Sequence, residues 1–148
     1  MSENPAINLF LISAALSSFA AAALHFAIIF GGPSWLRFFG AGEQYARAAE
    51  AGEVWPYLVT MAIGAILAIW GLYALKASGM AQDLPLPFLR LGLLAITGVY
   101  LLRGLVLIPA LLPNVQPHGP FMIWSSVICL GIGLAHAIGL VTQWSFLR

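Results

Sequence analysis

The run Phe88–Leu112, FLRLGLLAITGVYLLRGLVLIPALL, constrains this chain more than any other stretch. It is about 25 residues long and almost wholly apolar, enough for one helix to cross a bilayer. Arg103 nevertheless sits well inside its ends, with Tyr100 shortly before it. An arginine at that depth costs roughly 2.5–3.5 kcal/mol on insertion scales, so it needs a partner, water or a task.

Three further apolar runs have comparable length, and none shows the period-two alternation of a porin strand. Helices are the spanning form that remains. The sequence therefore predicts an all-α integral membrane protein forming a single membrane domain over 1–148. Its fold is a four-transmembrane-helix bundle with spans at about 6–30, 56–75, 88–112 and 121–146. Composition agrees: 61% of residues are hydrophobic and 7% charged, against about 25% charged in soluble domains. The N-terminus lacks the Lys/Arg n-region of a signal peptide, so cleavage is not expected.

The link after the first run is the only long polar one. Gly31-Gly32-Pro33 should end the first helix. Residues 34–52 then read as a short amphipathic surface helix in the first loop. Trp35, Phe38 and Phe39 flank Arg37, and Glu43, Arg47 and Glu50 form one charged stripe. Trp55 and Tyr57, and at the other end Trp70 and Tyr73, look like interfacial belts of the second span. Small residues make packing faces: Gly64, Ala68 and Gly71 in the second run, and Gly131, Ala135 and Gly139 in the fourth. Such rows leave room for a homodimer or a partner membrane protein. Lys76, Arg90 and Arg148 lie on the side of the termini, against Arg37 and Arg47 on the other. The positive-inside rule thus places both termini in the cytoplasm, across a bacterial-type cytoplasmic membrane.

A rise of about 1.5 Å per residue sets the depth of each polar group. His25, Arg103, Ser125 and Ser126, with Tyr57 and Thr60, all fall in the outer third of the membrane. Glu43 and Glu50 of the surface segment would cover that mouth, and Tyr100 would line it. These residues make a candidate pocket centred on Arg103 for a membrane lipid or another amphipathic anionic small molecule, since a guanidinium suits phosphate and carboxylate groups. Other readings of the same residues are a membrane-embedded enzyme using His25 or a glutamate as base, and an accessory subunit in which Arg103 is fully paired and no cavity exists. His25 and His136 lie about 15 Å apart in depth, too far for one haem. His118 is in a loop, so no metal site and no cofactor are expected. A net charge of +1 without a basic cluster excludes nucleic acid. A four-helix architecture names no function by itself.

Overall fold

A computed structural model of the chain describes residues 6–106, 108 and 120–147. Among them the chain forms five helices and no strand: α1 (Leu9–Phe38), α2 (Glu43–Glu50), α3 (Trp55–Ala77), α4 (Leu89–Leu105) and α5 (Pro120–Thr142). Three of these, α1, α3 and α5, are long and apolar enough to cross a membrane. The expected run 88–112 is helical over the 17 residues of α4. Residues 107 and 109–112 lie outside those described, as do His118 and Arg148.

Asn8 starts α1. Its side-chain oxygen accepts a hydrogen bond from the Leu11 N–H at 3.1 Å, satisfying a donor that the first turn leaves open. The stop expected at Gly31-Gly32-Pro33 is instead a kink. Gly32 takes φ 68°, ψ −156°, and helical geometry resumes at once, carrying Trp35 to Phe38. Glycine alone enters that backbone region easily, and Pro33 suits the first turn of the restarted helix because it lacks the N–H that turn would leave unpaired. Two further glycines at positive φ, Gly40 and Gly42, turn the chain back into α2. The apolar side of α2 then packs down: Ala46 and Ala49 close on Ile28 and Leu36, with Phe39 and Tyr57 alongside.

The four long helices alternate in direction. The Asn8 N–H donates to the Ser78 carbonyl (3.0 Å), just past the end of α3. The Asn8 amide donates to the Thr142 hydroxyl at the end of α5 (2.8 Å). Leu11, Leu89 and Leu147 share one buried cluster at the same end. So α1 and α4 run away from this end while α3 and α5 run toward it. The largest contacts are α1 with α3 and α4 with α5.

Glycine makes both contacts close. Gly71 of α3 lies under the Phe19 ring, where a Cβ would come within 2.7 Å of it, and Gly64 lies under Phe26 and His25. On the other side, Gly104 of α4 faces the Leu130 backbone and Gly133 of α5 faces Leu101. The row expected in α5 is therefore split between partners. Gly139 meets Leu11 of α1, Ala135 packs beside Ala14, Ala15 and Ala74, and Gly131 faces open space. The inner belt of α3 is also corrected. Trp70 turns inward, edge-on to Tyr100 at 5.3 Å. Tyr73 covers Gly92 and donates to the Pro87 carbonyl (3.0 Å), tying the α3–α4 link to α3.

Candidate functional site

At the end of the bundle where α1 kinks, all four long helices and the first link enclose a cleft of about 400 Å³. Its walls are mostly apolar, from Leu24, Ile28, Val59 and Ile63, with Phe39 and Phe121 at its rim. Those two rings meet edge to face at 5.7 Å. Phe121 also rests on Gly40, whose hydrogen allows the approach. Polar side chains line the cleft from each of the four long helices, His25 (α1), Thr60 (α3), Arg103 (α4) and Ser125 (α5), and Tyr45 of α2 joins them. Apolar walls with a few converging polar groups, in this size range, are what small-molecule sites look like.

The chemistry at the wall follows from who donates to whom. Ser125 and Ser126 both give their hydroxyl hydrogens to the Met122 carbonyl, at 3.1 and 2.7 Å. Their oxygens then accept from Arg103: Nη1 donates to Ser126 (2.7 Å) and Nη2 to Ser125 (2.8 Å). Nη2 also points at the Met122 sulfur at 3.4 Å. These are neutral acceptors. They orient the guanidinium and solvate it without cancelling its charge. A guanidinium carries five N–H donors, so two are left over after these three bonds. Among the described residues no carboxylate lies within ion-pair distance of Arg103. His25 gives its Nδ1–H to the Ala21 carbonyl at 2.8 Å, which leaves Nε2 as an acceptor. Thr60 donates to the Pro56 carbonyl at 2.8 Å within its own helix.

The structure brings together His25, Thr60, Arg103, Ser125 and, directly behind them, the fully buried Ser126. The other residues nominated from sequence stand elsewhere. Tyr100 points into the core, where its hydroxyl lies 2.9 Å from Ser18 and its ring stacks on His136 at 5.3 Å. Tyr57 packs among Ile28, Leu36 and Phe39. Glu43 and Glu50 face away from the cleft, because α2 turns its alanines inward. Both hold Arg37: Nε to Glu43 at 2.7 Å and Nη1 to Glu50 at 2.8 Å, with Arg47 adding 3.0 Å to Glu43. Sequence reasoning overlooked the rim aromatics Phe39 and Phe121. The Cys129 side chain also lines the cleft. The aromatic cluster at 35–39 and the phenylalanine directly after Pro120 were the available signals.

The ion pairs of α2 carry a pH dependence. Hydrogen bonds from Arg37, then Arg47, hold the Glu43 carboxyl down at about 2, below its ordinary 4.5. The bond from Arg37 also lowers Glu50. A carboxyl depressed in the fold stabilises it above its ordinary pKa and stops doing so as pH falls through the depressed value. Docking of α2 is therefore expected to be intact at neutral pH and to weaken from about pH 4.5 down to about 2. Hydrogen exchange over 43–50, corrected for intrinsic rates, should lose protection across that window, and Arg37→Gln should reproduce the loss at pH 7. Protection unchanged at pH 2 would show that the alanine face alone holds the helix.

A comparison with known proteins finds no matching family model, no matching curated relative and no matching solved structure.

Proposed function

We propose that this chain is a four-span protein of a bacterial-type cytoplasmic membrane, with both termini cytoplasmic, whose outer cleft binds a lipid-like or other amphipathic anionic molecule and holds it or passes it on. One observation carries the reading: Arg103 lies in the wall of an apolar cleft with only neutral partners among the described residues, two serine hydroxyls and the Met122 sulfur. A charge in such a place is costly unless an opposite charge meets it. A carboxylate or phosphate on an amphipathic molecule supplies that charge, and the apolar walls receive its tail. His25 Nε2, an acceptor on the facing helix, suits a ligand that also carries a hydroxyl or a proton. Binding is favoured over catalysis, because both serines at Arg103 already donate to a backbone carbonyl and, among the described residues, neither is hydrogen-bonded to a base.

Cys129 offers a direct test, since it is the only cysteine in the chain and lines the cleft. Maleimide labelling of the purified protein is expected to slow severalfold in the presence of oleate or dodecyl phosphate, and to be unaffected by dodecanol at the same concentration. Equal slowing by dodecanol would mean that the cleft takes apolar chains without regard to charge. No slowing by any of the three would remove the binding reading.

A further inference from the structure

The opposite end of the bundle carries a second cation with no acidic partner among the described residues. Arg90, at the start of α4, lies over the Trp144 ring with its guanidinium carbon 4.4 Å from the ring centroid. Its Nη2 donates to the Trp144 carbonyl at 2.9 Å. These contacts fix the guanidinium in place and leave its charge uncompensated. Its Nε is buried with no acceptor, and among the described residues no carboxylate pairs with it.

Arg90 stands at the head of a groove of about 500 Å³ whose other walls are Phe88, Leu91 and Leu94. These three recur at i, i+3 and i+6, so they share one outward face of α4. Phe88 is 80% exposed and holds a left-handed backbone, φ 50°, ψ 45°. Residues other than glycine rarely adopt this conformation. The phenyl ring stands outside the core cluster that Leu89 enters one residue later. Lys76 lies at the same end and donates to the carbonyls of Gln82 and Leu84, and it too has no acidic partner among the described residues. Asp83 is the acidic residue of the adjoining link.

We infer that this groove seats one anionic phospholipid, its phosphate on Arg90 and its acyl chain along Leu91 and Leu94, with Phe88 beside the headgroup. Charge complementarity selects the occupant: a fixed guanidinium at the top of an apolar channel matches a molecule that is anionic at one end and apolar along its length. The Arg90–Trp144 contact preorganises the site, because the guanidinium does not have to be ordered when the lipid arrives. The site is separate from the Arg103 cleft and stands or falls without it.

The test supplies equal amounts of phosphatidylglycerol and phosphatidylcholine, with identical acyl chains, to the full chain in mild detergent. Bound lipid is read by native mass spectrometry. The wild type is expected to retain phosphatidylglycerol over phosphatidylcholine by about fivefold, as one interfacial basic residue supplies about 1 kcal/mol. Arg90→Gln should remove the preference. Leu91→Glu places a like charge in the groove while leaving the Arg90–Trp144 contact alone, and should remove it as well. This second variant decides the matter if the first does not fold. Arg103→Leu should keep the preference, which separates this site from the cleft. A wild type that retains both lipids equally, or a Leu91→Glu protein that selects phosphatidylglycerol as the wild type does, would overturn the inference.

Discussion

Arg103→Leu is expected to weaken anion binding in the cleft by about 10- to 150-fold while leaving the bundle folded. The reasoning starts from the two serines. Once the guanidinium is gone, Ser125 and Ser126 still donate to the Met122 carbonyl, so no buried hydroxyl hydrogen is stranded. Leucine replaces a charge lacking a counter-ion by a side chain that lipid and the cleft walls both accept. Interhelical hydrogen bonds in membranes average about 0.6 kcal/mol, so the loss of two is small beside removing such a charge from an apolar wall. The melting temperature should therefore stay level or rise. Binding should suffer heavily: hydrogen bonds to a charged group contribute about 1.5–3 kcal/mol, which is roughly a 10- to 150-fold loss in affinity. Protection of Cys129 by oleate is the readout. A variant that unfolds would make Arg103 a structural residue, and one that keeps full protection would move the anion site elsewhere.

The second large effect belongs to the α4–α5 seam. At Gly104 an added Cβ would stand 2.7 Å from the Cα of Leu130, and backbone does not move aside as a side-chain tip does. Gly104→Ala is expected to force the two helices apart and destabilise the bundle by about 1–3 kcal/mol, the usual range for overpacking. Gly104→Leu should prevent the contact altogether. Gly131→Ala is the matched control. Its Cβ meets nothing within 4 Å, so the change should be neutral or stabilising by up to about 1 kcal/mol through helix propensity. Thermal unfolding in one detergent checks both. Because Arg103 is the residue before Gly104, the alanine variant should also weaken anion protection of Cys129. Equal melting temperatures for Gly104→Ala and Gly131→Ala would show that the seam tolerates a methyl group.

Depth along a helix was legible in the sequence, and direction around it was not. Counting about 1.5 Å per residue places His25, Thr60, Arg103 and Ser125 at one level, and their side chains do enter one cleft. Tyr100 satisfies the same depth count but sits three residues from Arg103, about 60° away around α4. There it meets Ser18 and His136 instead of the cleft. The packing row in α5 failed for the same reason. Gly131 and Gly133 look alike in the sequence, and only the position of Leu101 decides which of them is covered. Glu43 and Glu50 were misplaced for a different reason. Their partner Arg37 reaches them only because Gly32 bends the chain without ending the helix, and one backbone angle leaves no periodic trace. The long apolar runs were the plainest feature, since chain length and charge content alone exclude a water-facing surface there.

The contacts of Asn8 have a mechanical consequence. This residue caps its own helix and reaches the last turns of two others, through Ser78 and Thr142. Gln143 adds a further tie back to the Ala6 carbonyl. At the far end the polar ties among the described residues join helices two at a time, Arg103 of α4 to Ser125 and Ser126 of α5 and Arg37 of α1 to Glu43 and Glu50 of α2. The assembly thus resembles a clothes peg, fastened across three helices at the spring and only in pairs at the jaws. Spreading the jaws by a small angle widens the gap there while disturbing little at the fastened end. For the ligand proposed above, the size limit is then set by how far the jaws part, and not by the space between them at rest.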